Sequence, residues 1–379
     1  MRSYELMRRC IYLLLTAFFL FPVISCDFSF KDEDDTGNAA TWKDAKPLKG
    51  IYANDFMMGN IISSSDFDNA ARFGILKRHY NIITAENEMK PNYLAPAQNP
   101  GSGAWNYRFS TADTIVNKAL EAGFKVHGHT LIWHSQSPSW LAAGGENNLN
   151  KFVGDVATHF KGRVISWDVV NEAFRDGLNV NDAEDWTKCL REDSPWFKSI
   201  GHTYIEKAFT AARDADPNAK LYYNDYNLNS PAKSQAVHNM VKEINKTNKG
   251  GRPLIDGIGM QSHHHLNTSP QSVETAVKLF ASLNVEIGIT EMDIIANNGG
   301  NINVQGLGSS YNSSAAQKQA ALYAAMFRIF KDNSRDITRV TFWGIDDGTS
   351  WRKSNHPTLL TGNYRLKPAF YAVLNPKKY

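Results

Sequence analysis

The sequence is poor in cysteine and close to neutral in charge, and both features narrow the range of functions. Only three cysteines occur in 379 residues. Cys10 and Cys26 lie near the N-terminus, so Cys189 alone remains for the folded part, where no intrachain disulfide framework can form. Cys189 is therefore interpreted as a structural residue. The formal net charge is +3 and there is no basic stripe, which argues against nucleic acid as a partner.

Long apolar runs are absent except near the N-terminus, where residues 11–24 form one behind a few arginines. A basic start followed by such a run is typical of a secretory signal, and the run is short for a membrane span. It ends in Ser25-Cys26, which resembles a bacterial lipoprotein signal, in which the cysteine is acylated. We expect a signal over residues 1–25, lipidation of Cys26 and export to the outer membrane or cell surface. Ordinary cleavage near Ser25 is the alternative, and it would give a secreted or periplasmic protein.

The next segment, residues 26–47, is polar and includes an acidic run at residues 32–35. Such a composition is typical of a flexible tether. Any contact with a membrane would then be made by the N-terminal lipid alone. The folded domain is expected to cover residues 48–379.

From residue 48 onward the chain alternates between apolar strands and amphipathic helices, in eight units. The predicted strands cover residues 57–62, 81–85, 124–128, 164–170, 219–223, 255–260, 285–293 and 337–343, and predicted helices follow them, with Ser110, Ser230 and Ser269 at three of the helix starts. Eight parallel units are enough to close a (β/α)8 TIM barrel, so we predict this α/β fold as a single catalytic domain. A doubly wound open sheet is the alternative, but no glycine-rich phosphate loop follows the first strand.

Two of the predicted strands lead directly into glutamates, Glu172 and Glu291. In enzymes with parallel strands the chemistry takes place where the strands end. A carboxylate that leaves an apolar strand for a cleft is a candidate acid with a raised pKa. Either glutamate alone could be a solvated loop residue. Two strand-end carboxylates that face one cleft are what glycoside hydrolysis requires.

Seven short motifs at the predicted strand ends carry a family resemblance. They are TAENEMK (84–90), GHTLIWHSQ (128–136), WDVVNEAF (167–174), YNDYN (223–227), GMQSH (259–263), ITEMD (289–293) and FWGIDDGTSW (342–351). Together they resemble glycoside hydrolase family 10, chiefly the endo-β-1,4-xylanases. The resemblance covers residue 48 to the C-terminus and implies a (β/α)8 barrel, in agreement with the alternation of strands and helices.

The resemblance also implies roles for individual residues. Glu172 matches the general acid/base and Glu291 the nucleophile, while His263 and Asp293 match the histidine that holds the nucleophile and its acidic partner. Asn171 and Gln261 match residues that bind the sugar 2-hydroxyl and the nucleophile region. Hydroxyl-binding positions are matched by Glu86, Asn87, Lys90, His129, Trp133 and Gln136, the aromatic walls by Trp343 and Trp351, and the leaving-group side by Tyr226. Trp343 could instead belong to the packing of the barrel.

The histidines raise the question of a metal. His127 and His129 lie two residues apart on a predicted strand, which places both side chains on one face. However, the sequence contains no clean zinc spacing, and His129 and His263 already have roles implied by the family. We therefore expect no catalytic metal and no other cofactor, while a structural calcium ion stays open.

The leading hypothesis is a monomeric endo-β-1,4-xylanase that acts on xylan and xylo-oligosaccharides by a retaining mechanism. A β-1,4-glucanase of a related barrel family is one alternative. A surface glycan-binding lipoprotein without activity is another, although it would be expected to lack one of the two carboxylates.

Overall fold

The computed structural model describes residues 41–95, 97–98, 105–297 and 311–379. The predicted signal, the predicted lipid site Cys26, residues 26–40 of the predicted tether and most of the loop at residues 297–314 lie outside the described residues. No helix in the described part of the chain is long and apolar enough to cross a membrane.

Eight parallel strands form a closed barrel. They are β1 (Met57–Ile62), β2 (Ile82–Ala85), β3 (Lys125–Trp133), β4 (Ser166–Asn171), β5 (Lys220–Asp225), β6 (Gly257–Met260), β7 (Glu286–Ile295) and β8 (Ile337–Phe342). Each strand pairs in parallel with the next one, and β8 pairs with β1, where Met58 aligns with Val340. This closure confirms the predicted (β/α)8 barrel and rules out the open sheet, which would leave β1 and β8 apart.

Eight helices surround the barrel. They are α1 (Ala70–His79), α2 (Ser110–Glu121), α3 (Gly145–His159), α4 (Tyr204–Ala215), α5 (Pro231–Ile244), α6 (Pro270–Ala281), α7 (Ser313–Asp332) and α8 (Pro368–Leu374). Shorter helices cover Leu48–Ile51, Pro91–Leu94, Ser139–Ala143 and Pro195–Ile200, and 3-10 turns cover Ser64–Asp68, Val180–Glu184, Trp186–Cys189, Lys353–Asn355 and Pro376–Lys378. Short strands pair Ala97–Gln98 with Trp105–Asn106, Asn248–Lys249 with Arg252–Pro253, and His263–His265 with the end of β7.

The helix starts follow the sequence signals only in part. Ser230 and Ser269 precede the prolines that begin α5 and α6, as predicted, but neither serine side chain caps its helix. Ser110 is the first residue of α2, and Phe109 occupies the N-cap position. Proline fixes φ in the first turn, so the start of a helix does not depend on a bonded serine there.

Residues 41–47, which the sequence analysis assigned to the tether, pack against the barrel. Thr41 pairs with Arg365, and the carbonyl of Trp42 lies 3.0 Å from Nε2 of His79 at the end of α1. The Trp42 ring packs directly over Gly74 of α1, where no side chain stands in its way. A single tryptophan with a matching glycine therefore holds the end of a segment whose overall composition is polar.

One position in the barrel wall requires glycine because a neighbouring side chain lies against it. Gly128 of β3 aligns with Trp167 of β4, and a Cβ atom at residue 128 would overlap the indole ring. Trp167 is fully buried. The barrel therefore accepts this tryptophan only because its neighbour on the next strand has no side chain.

Replacement of this glycine should destabilise the protein, since overpacking a filled interior costs about 1–3 kcal/mol. We expect Gly128→Ala to lower the free energy of unfolding in urea by that amount. Gly154→Ala is the matched control, because Gly154 lies within α3 and a Cβ there would meet nothing within 4 Å. The control should gain up to about 1 kcal/mol from helix propensity. Equal effects of the two substitutions would contradict this account of the Trp167 site.

Candidate active site

Glu172 is the first residue after β4, and its backbone is held in an unusual conformation. Its φ is +55°, in the left-handed region that residues other than glycine seldom adopt. The Glu172 amide donates to the carbonyl of Asn224 at 2.8 Å, and the Glu172 carbonyl accepts from Nε of Arg191 at 3.0 Å. Its carboxylate accepts from Nε1 of Trp133 at 2.8 Å and from Nε2 of Gln261 at 2.9 Å. Four hydrogen bonds therefore fix both the chain and the carboxylate.

Glu291 lies within β7 and is only 5% exposed. Its Oε1 accepts from Nδ2 of Asn224 at 2.8 Å, and its Oε2 lies 3.2 Å from Nε2 of His263. Nδ1 of His129 is 3.9 Å from Oε1. Burial alone would raise the pKa of Glu291, but His263 and His129 hold it below its ordinary value. A lowered pKa favours the ionised form of Glu291, which is the form that the family resemblance implies for a nucleophile.

A set of amide side chains joins the two glutamates. Oδ1 of Asn171 accepts from Nδ2 of Asn224 at 3.0 Å and from Nε2 of Gln261 at 3.2 Å. Since Asn224 also contacts Glu291 and Gln261 also contacts Glu172, both carboxylates belong to one hydrogen-bonded network. Gln261 thus contacts the predicted acid, while the amide that contacts the predicted nucleophile is Asn224.

His263 lies between two carboxylates. Its Nε2 faces Glu291, and its Nδ1 is 3.1 Å from Oδ2 of Asp293. Burial would lower the pKa of His263, but Asp293 and Glu291 raise it to about 9, so the ring is a cation at neutral pH. Asp293 would have a raised pKa through burial, yet His263 and Arg352 hold that pKa below its ordinary value. Nη1 of Arg352 lies 2.8 Å from Oδ1 of Asp293. Nε1 of Trp351 donates to Oδ2 of Asp293 at 3.0 Å.

Lys90 brings a further positive charge to the cleft. Its ammonium group donates to Oδ1 of Asn87 at 3.0 Å and lies 5.2 Å from the centre of the Trp133 ring. Burial lowers the pKa of Lys90, while the charges of Glu291 and Glu86 act in the opposite direction. Burial also raises the pKa of Glu86.

The two predicted aromatic walls differ in exposure. Trp351 is 47% exposed, and its ring lies 5.0 Å from that of His263. Trp343 is buried and meets the His129 ring edge-on at 5.2 Å. His129 in turn donates from Nδ1 to Asp168 at 2.9 Å. Trp343 therefore packs against a site residue, and Trp351 offers the more open aromatic surface.

Tyr226 is linked to Glu172 by hydrogen bonds that both residues make with Arg191. The Tyr226 hydroxyl bonds to Asp176 and to Arg191, which is also the residue that holds the Glu172 carbonyl. The ammonium group of Lys233 lies 3.9 Å from the centre of the Tyr226 ring. The Tyr226 ring is therefore fixed by charged neighbours on the side of the acid.

Gln136 and Cys189 take no part in the hydrogen-bonded network around Glu172 and Glu291. The carbonyl of Gln136 accepts from the amide of Asn92 at 2.9 Å. Cys189 is buried and donates its thiol to the carbonyl of Asp182 at 3.2 Å, in keeping with a structural role.

The structure also brings residues to the site that the sequence analysis quoted in motifs or overlooked. They are Asn224, Asp168, Arg191 and His134, whose Nδ1 lies 4.0 Å from Oε2 of Glu172. Three of them stand within the motifs at residues 128–136, 167–174 and 223–227. Their place within these motifs was a usable signal, whereas Arg191 lies outside every motif.

Comparisons with known proteins agree with this geometry. Residues 47–376 match the family described as Glycosyl hydrolase family 10. The chain is 39% identical over 345 residues to endo-1,4-beta-xylanase A of Thermotoga neapolitana, which covers 87% of this chain and 31% of that protein. It is 36% identical over 343 residues to the beta-1,4-xylanase of Dictyoglomus thermophilum, covering 86% of this chain and 90% of that protein.

Among solved structures, a variant of the intracellular xylanase of Thermoanaerobacterium saccharolyticum in complex with xylotetraose is similar. The TM-score is 0.75 at 34% identity, covering 87% of this chain and 98% of that chain. The chain spans only 30–31% of the length of the first three curated relatives. Since the family match extends over most of the sequence, this protein belongs to glycosyl hydrolase family 10.

Proposed function

We propose that this protein is a retaining endo-β-1,4-xylanase that acts on xylan and xylo-oligosaccharides. The observation that carries the proposal is the pair Glu172, directly after β4, and Glu291, within β7, which belong to one hydrogen-bonded network. The xylanase names of the relatives support the choice of substrate.

In the first step a carboxylate oxygen of Glu291 attacks the anomeric carbon. The bond from that carbon to the glycosidic oxygen breaks, and Glu172 gives its proton to the departing oxygen. Glu291 suits this role because the His263 cation and the Asn224 amide keep it ionised and in place. Glu172 suits the other role because Arg191 links its backbone carbonyl to Tyr226, the residue proposed for the leaving-group side.

In the second step Glu172 acts as a base. It takes a proton from water, the water oxygen bonds to the anomeric carbon, and the ester bond to Glu291 breaks. Two inversions at that carbon give net retention. Trp133 and Gln261 hold the Glu172 carboxylate in one orientation for both steps.

The choice between xylan and β-1,4-glucan depends on one group. Xylose lacks the hydroxymethyl group that glucose carries on C5. Trp343, Trp351 and Lys90 are proposed to fill the space that this group would need. The glucanase is therefore the second candidate, whereas a binding protein without activity is disfavoured because both carboxylates are present and hydrogen-bonded.

The proposal predicts that xylo-oligosaccharides are cleaved much faster than cello-oligosaccharides of equal length. Steric exclusion should separate them by more than the roughly 1–3 kcal/mol that one lost methylene contact provides. The measurement is kcat/KM on both series, and similar values would favour the glucanase.

A retaining mechanism predicts that the β-anomer is released first. Proton NMR of the first minutes of xylohexaose hydrolysis identifies the anomer, and an initial α-anomer would mean an inverting enzyme.

The two glutamates should respond differently to truncation. Glu172→Ala should reduce xylan hydrolysis by about 10²–10⁴-fold, since general acid catalysis contributes that much. The same variant should keep the first step on aryl xylobiosides with acidic phenols, which need little protonation. Glu291→Ala should lose both reactions, and azide should restore turnover with an α-glycosyl azide as product. Azide rescue of Glu172→Ala with that stereochemistry would mean that the two roles are exchanged.

We further propose that the mature protein is a monomer anchored by lipid on Cys26, at the outer membrane or cell surface. The Ser25-Cys26 junction behind a basic and apolar segment supports this. Several acyl chains on one cysteine would anchor it stably, whereas one chain binds membranes only weakly.

Lipidation can be tested by fractionating cells that express the full chain. Wild-type protein should partition with membranes, and Cys26→Ser should be released or left unprocessed. Cys10→Ser is the matched control, because Cys10 lies within the predicted signal and should not affect lipidation. Wild-type protein that is soluble outside the cell, with an N-terminus other than residue 26, would contradict the proposal.

A further inference from the structure

A column of buried polar side chains crosses the interior of the barrel and ends at the site. Tyr222 of β5 lies beneath Arg339 of β8, whose guanidinium carbon is 4.4 Å from the centre of the tyrosine ring. Nη2 of Arg339 donates to Nε2 of His127 at 3.0 Å. Both His127 and His129 contact Asp168, and His129 is the residue beside Glu291. The column therefore connects Arg339 to the proposed nucleophile through three side chains.

Arg339 is the permanent charge of this column. It is 2% exposed, and Nη2 is 3.8 Å from Oδ1 of Asp168. An arginine side chain stays protonated in proteins and can only donate hydrogen bonds. Among the residues that the structure describes, Asp168 is the carboxylate within ion-pair distance of Arg339.

His127 lies between Arg339 and Asp168 and carries no charge at neutral pH. Burial, together with Arg339, lowers the pKa of His127 to about 4, so the ring is neutral at working pH. Since Nε2 accepts from Arg339, the ring proton lies on Nδ1, which is 2.7 Å from Oγ of Ser166. Oδ1 of Asp168 is 3.1 Å from the same Nε2 atom. Arg339 is thus the fixed cation that faces this oxygen.

Asp168 is an anion despite its burial. Burial alone would raise the pKa of Asp168, but its histidine contacts hold it well below the ordinary range. Its Oδ2 accepts the Nδ1 proton of His129, and this bond fixes the orientation of the His129 ring. A neutral Asp168 would accept that bond more weakly, because hydrogen bonds to ionised acceptors are the stronger ones.

The surrounding sequence makes room for the arginine. A Cβ at Gly288 of β7 would lie 3.2 Å from Cζ of Arg339. A Cβ at Gly257 of β6 would overlap the ring of Tyr222. Two adjacent strands therefore carry glycine where the Tyr222–Arg339 pair lies. Stability alone does not account for this arrangement, since apolar residues of similar volume are often as stabilising as a buried ion pair.

We propose that Arg339 is a positioning residue that keeps Asp168 charged and thereby holds His129 in place beside Glu291. The inference rests on the proposed role of Glu291 as the nucleophile. Arg339 touches no substrate and acts only through Asp168 and His129.

The consequence for pH dependence follows from the charges around Glu291. These are His129 on β3, Asp168 on β4, His263 beside β7, Lys90 after β2 and the second carboxylate, Glu172. Loss of the Arg339 cation removes one positive charge from the column beside Glu291, and removal of a nearby cation raises the pKa of a carboxylate. Because the nucleophile must be ionised, the acid limb of kcat/KM should then move to higher pH.

The test compares Arg339→Met with Arg213→Met, a matched buried arginine that is 4% exposed and pairs with Asp256 away from the site. For Arg339→Met we expect kcat/KM on an aryl xylobioside to fall by about tenfold or more, with the acid limb raised by about half a pH unit. Arg339→Lys should bring the limb back towards the wild-type position. Arg213→Met should lower the unfolding midpoint in urea and leave the limb in place.

A double-mutant cycle with Asp168→Asn identifies the route. If Arg339 acts through Asp168, adding Arg339→Met to Asp168→Asn should change kcat/KM little further. The double variant also serves if Arg339→Met alone does not fold, because removal of both charges should restore folding. Additive losses, an unmoved acid limb in folded Arg339→Met, or a double variant that stays unfolded would each overturn the proposal.

If the proposed function is wrong, the experiments will give a different result from the one expected if only the Arg339 proposal is wrong. In that case the wild-type protein itself would not hydrolyse xylan or aryl xylobiosides. The carboxyl ¹³C titration of Asp168 by NMR, which needs no activity, would still test the column. We expect Asp168 to titrate at higher pH in Arg339→Gln than in the wild type, and identical titrations would overturn the inference.

Discussion

The barrel interior at this site has to hold ionised side chains away from water, and each of them is stable there only with a partner. A buried charge without one is strongly disfavoured. Glu291 faces the His263 cation, His263 faces Asp293, and Asp293 faces Arg352. Partners supplied by different strands make the ionisation of each group depend on closure of the barrel. The same bonds that stabilise the charges therefore also set the geometry for chemistry.

The sequence predicted the fold well, because apolar runs of strand length alternate with helical patterns and little interrupts them. The run at residues 57–62 coincides with β1, and closing the series in a ring requires only that β8 return to β1. The boundary at residue 48 was less accurate. Trp42 packs on Gly74, which lies far from it in the sequence. The composition of residues 26–47 alone cannot predict such a long-range contact.

The site was predictable where a motif and a strand end coincide, as at Glu172 and Glu291. Contacts between strands were not. Asn224 stands in a motif that was recognised, yet its bond to Glu291 depends on how β5 and β7 face each other across the barrel mouth. Arg339 was harder still, because a lone arginine in an apolar strand does not indicate which carboxylate lies across the interior. Gly257 and Gly288 explain its accommodation only once the strands are placed side by side.

Two glutamates in one hydrogen-bonded network can take different roles because their neighbours differ. Glu291 is reached by a cationic histidine, which favours its ionised form. Glu172 is reached by the neutral donors Trp133 and Gln261, which orient its carboxylate without adding a full positive charge. The surroundings of Glu291 therefore favour its ionised form, which is the form that a nucleophile in a retaining mechanism needs. The asymmetry lies in the side chains around the pair, since the two residues themselves are chemically identical.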